Sequence, residues 1–143
     1  MSVTMYLLYD GELKFAMEDD PSQFKKVEET TVFSFDVGEQ INWMVSSLDT
    51  QLEKIKVKDK KKIAGMKPVK GNWKDIWTEK PKNVTQIHCQ GTPYSEGATV
   101  ENPMVFAFDI IYKTKDGKDE LTIDPGGWAP SPAPDPPLEP NKG

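Results

Sequence analysis

The only histidine and the only cysteine of the chain are neighbours, His88 and Cys89. A blue-copper centre needs two imidazoles and a thiolate, and a structural zinc site needs several such ligands. Neighbouring residues of a strand point to opposite faces, so this pair is not expected to share a metal or to form a Cys–His nucleophile. A Ser-His-Asp triad would need the same imidazole. We therefore expect Cys89 to be a small buried side chain, and the protein to have neither a cofactor nor catalytic activity.

The densest run of charge is EKIKVKDKKK at residues 53–62, which holds six lysines. Ile55 and Val57 alternate with lysines, which is typical of an edge strand protected against further pairing. Contact with nucleic acid or anionic lipid is the alternative. The whole chain, however, has 23 acidic and 18 basic residues, whereas nucleic-acid binding depends on cationic groups. No apolar stretch is long enough to span a bilayer, so neither nucleic acid nor a membrane is an expected partner.

Three tryptophans, Trp73, Trp77 and Trp128, lie in polar, irregular surroundings. Exposed rings of this kind form sugar-stacking platforms or hot spots for protein contact. The competing interpretation is that such tryptophans cap an open end of the fold.

The end of the chain, residues 126–143, differs in composition from the rest and contains six prolines. Because proline lacks a backbone N–H, this segment is expected to be extended and polyproline-like. Trp128 and Leu138 are its only large apolar residues, and we expect them to anchor it to its own domain or to a partner. The sequence thus predicts a domain over residues 1–125 and a proline-rich tail over 126–143.

Alternation of apolar and polar residues predicts strands in four early segments. Asp10-Gly11, between the first two, is typical of a two-residue hairpin turn. Val37 ends the third segment, and Trp43 lies on the predicted core face of the fourth. The four segments are residues 3–9, 13–17, 33–37 and 41–45.

The longest strand pattern is MVFAFDIIYKT, residues 104–114. Phe106, Phe108 and Ile110 share one face and the other face is also largely apolar, so we expect a central strand. Asp116-Gly117 then predicts a second hairpin. The chain shows no long helical pattern and no internal repeat. The sequence therefore predicts an all-β fold, a single antiparallel β-sandwich.

With 143 residues the chain is expected to form one domain that folds without disulfides. Its first residues, MSVTMYLLYDGELKF, lack the basic region, apolar core and cleavage site of a secretory signal. We expect a cytoplasmic protein, although a mature fragment or a protein secreted by an unconventional route would have the same features.

Short motifs resemble known families. DVGEQINW at residues 36–43, followed by FAFDIIYKTKDGKDELTIDP at residues 106–125, resembles the cupredoxin-like and immunoglobulin-like sandwiches of small bacterial proteins. DPPLEP at residues 135–140 resembles the signature of the DP-EP family of small bacterial proteins. The all-β chain ending near an Asp-Pro is more distantly similar to the bacterial inclusion-body protein family. The first resemblance implies the fold, without the copper ligands of cupredoxins, and the second implies no activity.

These features together predict a non-enzymatic, metal-free protein. We expect it to act by binding protein, either a partner or further copies of itself in a homo-oligomer. The alternative is a module that binds carbohydrate or another small ligand through Trp73, Trp77 and Tyr94.

Overall fold

The computed structural model describes residues 2–28, 31–59, 77–101 and 103–131. Over these residues the fold is all-β, as predicted, with one short 3-10 turn at Pro21–Gln23 and no α-helix. The strands are β1 (Ser2–Tyr9), β2 (Leu13–Ala16), β3 (Lys25–Lys26), β4 (Val32–Ser34), β5 (Gln40–Val45), β6 (Leu52–Asp59), β7 (Trp77–Thr85), β8 (His88–Pro93), β9 (Met104–Thr114), β10 (Leu121–Ile123) and β11 (Gly126–Ala129).

The described strands form two main sheets. The first has six strands in the order β3-β2-β1-β5-β8-β7. In the second, β9 pairs with β10 and β11 along one side and with β6 along the other, and β4 pairs with β11. Two pairs, β1 with β5 and β4 with β11, are parallel, so the expectation of purely antiparallel sheets is wrong for them. Each of these pairs joins strands that are distant in the chain, where no hairpin turn imposes an antiparallel direction.

The predicted hairpins and central strand are confirmed, but the first hairpin loop has three residues, 10–12, and not the predicted two. Gly11 adopts a positive φ of 73° in the turn between β1 and β2, which pair antiparallel. The Asp116-Gly117 region likewise connects β9 to the antiparallel β10. Strand β9 has partners on both sides, as its two apolar faces predicted.

Both sheets contribute to one apolar core. Met5 and Leu7 of β1 are fully buried, and so are the inward residues of β9. The ring of Trp43 in the first sheet lies 5.3 Å, centroid to centroid, from the ring of Phe108 in the second. Alternation along β1 and β9 therefore produced the predicted core face. The aromatic members of this core are Phe33, Phe35, Trp43, Phe106 and Phe108.

The start of the predicted tail belongs to the folded body. Residues 126–129 form β11, and the backbone N–H of Gly126 donates to the Thr31 carbonyl at 2.8 Å. Gly127 has no side chain, which allows β11 to lie directly against the Phe106 ring. This corrects the boundary predicted at residue 125, because β4 and β9 pair with these residues before the prolines begin. Residues 132–143 lie outside the described residues.

The loop between β5 and β6 is held by one carboxylate. Asp49 accepts hydrogen bonds from the backbone N–H groups of Tyr9 at 2.7 Å, Gln51 at 2.9 Å and Leu52 at 2.7 Å. Hydrogen bonds to a charged acceptor are stronger than neutral ones. Asp49 therefore links the end of β1 to the start of β6.

We expect Asp49→Ala to lower the free energy of unfolding by about 1–3 kcal/mol, because three backbone donors lose their acceptor. The control is Glu12→Ala, which removes a surface ion pair to Lys26 at 3.5 Å and is expected to cost less than about 0.5 kcal/mol. Urea unfolding of both variants gives the comparison. Equal losses in the two variants would show that Asp49 does not fasten this loop.

Candidate functional site

Of the three residues of the predicted aromatic platform, the structure describes Trp77 and Tyr94. Trp77 begins β7 and pairs with Pro93, and its ring packs 4.9 Å from Phe106 and 6.3 Å from Trp43. Trp77 is half-buried and packs against the core, whereas its assignment as a candidate contact residue called for an exposed ring. Tyr94 is 46% exposed, as that assignment required. Trp73 lies outside the described residues.

The two predicted tail anchors have different outcomes. Trp128 lies in β11 between β4 and β9 and is only 8% exposed. It therefore packs within its own chain, which is one of the two expected alternatives for this anchor. The physical reason is strand pairing: its backbone carbonyl accepts from the Phe35 N–H at 3.1 Å. Leu138 lies outside the described residues.

His88 and Cys89 lie on opposite faces of β8, as predicted. Cys89 is fully buried in the core, and burial raises the pKa of its thiol, which favours the protonated, unreactive form. The His88 Nε2 lies 2.8 Å from the Asn42 Oδ1 on the other face of the sheet. Within residues 2–28, 31–59, 77–101 and 103–131, no group of three His, Cys, Asp or Glu side chains is close enough to hold a metal ion.

Two loops meet where β5 begins and β8 ends. The Gly38 N–H donates to the Ser95 Oγ at 2.8 Å, and Ser95 is only 3% exposed. Gly38 and Gly97 have positive φ angles of 80° and 84°, which favour glycine at these turns. A part-buried hydrogen bond therefore joins the two loops, each of which contains a turn at a glycine. We call residues 36–39 and 94–101 the acidic end.

The acidic end combines exposed apolar side chains with uncompensated negative charge. Val37 is 43% exposed, Tyr94 46% and Val100 73%. Neither of its two segments contains lysine or arginine, and no described lysine forms an ion pair with its carboxylates. Val37 was predicted to end a buried strand, but β4 stops at Ser34 and Val37 lies in the following turn. The four carboxylates belong to Asp36, Glu39, Glu96 and Glu101.

Strand β6 is an edge strand that carries exposed lysines, as predicted. It pairs with β9 along one side. Its other side receives isolated bonds from the β7–β8 region: Ile55 N–H donates to the Gln86 carbonyl at 2.8 Å, and the Asn83 amide donates to the Ile55 carbonyl at 3.0 Å. The lysines alternate with the buried Ile55 and Val57.

A cleft of about 280 Å³ opens beside β6 and β9. Lys54 in this cleft forms an ion pair with Glu120 at 3.6 Å, whereas Lys56 has no such pair with a described carboxylate. Tyr112 lies in the same wall, and burial raises the pKa of its phenol, which keeps the hydroxyl group protonated. We call this site the lysine cleft. Its lining includes Lys54, Lys56, Asn83, Gln86, Ile111 and Glu120.

Charge is strongly segregated along the chain. Residues 54–82 contain 11 of the 18 basic residues and 3 of the 23 acidic ones. This segment therefore has a net charge of +8, and the remainder of the chain has −13. The described part of the basic segment is β6 and β7, which border the lysine cleft. The uneven distribution of charge can be read from the sequence, but the net charge of −5 for the whole chain does not show it.

A scan against protein-family models finds no family that matches the chain, and a search of curated proteins finds no match. In the part of the chain that the structure describes, no helix has the length and apolarity needed to cross a membrane. What the molecule does must therefore be inferred from its own surfaces.

Proposed function

We propose that this chain is a metal-free, non-enzymatic β-sandwich, of the cupredoxin-like or immunoglobulin-like type, that acts through protein contact and assembles with copies of itself. Two sheets that share one core support the sandwich. The resemblance of residues 36–43 and 106–125 to such sandwiches supports the type. Membership of the DP-EP family is part of the proposal, and its DPPLEP motif lies outside the described residues.

The acidic end is the observation that carries this function. Its three apolar side chains, Val37, Tyr94 and Val100, are exposed although a hydrogen bond from Gly38 to Ser95 joins the two loops. Exposed apolar groups rimmed by charges mark protein contact sites, and tyrosine is enriched in interfaces. The single buried thiol, in contrast, offers no accessible nucleophile.

The segregation of charge favours self-association over a nucleic-acid or membrane partner. One molecule carries both a basic segment of net charge +8 and a remainder of net charge −13. Complementary charge steers protein association and suppresses wrong partners. Two copies of this chain supply both signs, which neither a polyanion nor an anionic bilayer does.

The carbohydrate-binding alternative depends on Trp73, Trp77 and Tyr94, and the structure describes the last two of them. Tyr94 is exposed, but the Trp77 ring packs on Phe106 in the core. Stacking platforms need accessible ring faces. Protein contact is therefore better supported than carbohydrate binding.

Sedimentation velocity over a range of concentrations tests the proposal. We expect the weight-average sedimentation coefficient of the wild-type chain to rise with concentration. The variant Tyr94→Ser/Val100→Ser removes exposed apolar area from the acidic end, so its dissociation constant is expected to rise about tenfold or more. Leu48→Ser, at a 44% exposed site between β5 and β6, is the matched control and should associate like wild type. A wild-type chain that stays monomeric at every concentration and salt would refute self-assembly.

A further inference from the structure

We infer that the lysine cleft of one copy receives the acidic end of a second copy, so that the copies associate head to tail. This inference rests on the proposed function and identifies both halves of its interface. The described surface offers the charge complementarity that such a contact requires: ammonium groups of Lys54 and Lys56 on one side, and carboxylates of Glu96 and Glu101 on the other.

The two surfaces match in apolar character as well as in charge. The cleft includes the half-buried Ile111, which is the register partner of Lys56 in the pairing of β6 with β9. The acidic end presents Tyr94 and Val100 beside its glutamates. Interfaces commonly combine an apolar centre with a charged rim, and this pairing supplies both.

The positions of the surfaces favour contact between copies over contact within one copy. The acidic end follows β8, whereas the cleft borders the β7–β8 turn at the other end of that strand. The six residues of β8 span roughly 20 Å at about 3.3 Å per residue. A contact between two different patches is heterologous, so it extends into open chains or closes into a ring.

The existing ion pair in the cleft can exchange its partner. Lys54 and Glu120 lie 3.6 Å apart with side chains that are 45% and 53% exposed. Such exposed pairs contribute little to stability, so an incoming carboxylate displaces Glu120 at low cost. The association is therefore expected to weaken as salt screens the charges.

Two charge-reversal variants test the inference by mixing. Lys54→Glu/Lys56→Glu disables the cleft, and Glu96→Lys/Glu101→Lys disables the acidic end. Each variant alone should be monomeric where wild type associates. Their mixture should form a discrete 1:1 dimer, because one intact cleft and one intact acidic end remain. Sedimentation velocity and native mass spectrometry read the stoichiometry.

The controls separate folding from binding. Lys25→Glu/Lys26→Glu places the same charge change on β3, at the far edge of the first sheet, and should associate like wild type. Circular dichroism checks that each reversed variant is folded. If a reversal unfolds the chain, Lys54→Gln/Lys56→Gln replaces it and is expected to raise the dissociation constant at least tenfold.

The outcomes distinguish this inference from the proposed function. A wild-type chain that associates while both reversed variants associate equally well would overturn the head-to-tail contact and leave self-assembly intact. A mixture that stays monomeric would also overturn it. A monomeric wild type would refute the proposed function itself.

Discussion

Gly127→Ala is expected to lower the free energy of unfolding by about 3 kcal/mol, the upper part of the usual range for overpacking a core. A methyl group at this position would lie 2.2 Å from the Cε1 and 2.3 Å from the Cζ of Phe106. The ring cannot move away freely, because Trp77 packs against it at 4.9 Å and Phe35 at 5.4 Å. Strand β11 must therefore shift, and its pairing with β4 and β9 weakens.

Urea unfolding of Gly127→Ala measures the loss, with Thr122→Ala on the exposed face of β10 as the control, expected within about 0.5 kcal/mol of wild type. The double variant Gly127→Ala/Phe106→Leu should cost less than the sum of its two single variants, because the smaller side chain relieves the overlap. A Gly127→Ala chain as stable as wild type would show that β11 does not lie against Phe106.

Phe108→Ala is expected to cost about 3–5 kcal/mol, as is Phe106→Ala, because each leaves a cavity in the shared core. Both side chains are fully buried. The Phe108 ring contacts both sheets, with centroids 5.3 Å from Trp43 and 5.7 Å from Phe33. Its removal therefore loosens the packing between the sheets as well as the packing within one.

Thermal and urea unfolding of the two phenylalanine variants give the values. Val84→Ala, at a site that is 51% exposed, provides the control and is expected to change stability by less than about 0.5 kcal/mol. The two losses should not add, since the Phe106 and Phe108 rings lie 5.7 Å apart. Transitions unchanged by either substitution would mean that β9 is not the centre of the core.

The strands and their buried faces could be predicted because they are local properties. Alternation over residues 104–114 identified β9 and its inward residues, and Asp10-Gly11 identified the first hairpin. The lysines of β6 identified an edge strand. Each of these signals lies within about ten residues of the feature that it predicts.

The features that the sequence did not reveal depend on residues distant in the chain. Trp77 packs against the core because it pairs with Pro93 and reaches Phe106, which no local pattern encodes. Strand β11 exists because β4 and β9 flank it, although its own glycines are poor strand formers. The two parallel strand pairs, β1 with β5 and β4 with β11, likewise depend on residues that are distant in the chain.

The candidate surfaces were even less accessible to sequence reasoning. Val37 fitted an alternating strand, and only the position of the turn after β4 shows that it is exposed. The two segments of the acidic end lie together because the Gly38 N–H donates a hydrogen bond to the Ser95 hydroxyl, which is distant in the chain. The charge segregation was present in the sequence, but its meaning depends on where β6 and β7 lie in the fold.

The central claim, that copies of this chain bind one another through these surfaces, is tested most directly by the concentration dependence of backbone amide NMR signals. On dilution we expect shifts confined to the acidic end, residues 36–39 and 94–101, and to the lysine cleft, residues 54–56, 83–86, 111–112 and 120. Added salt should produce the same changes as dilution, because both dissociate the complex. Signals that do not move with concentration, or that move on other surfaces, would contradict the account.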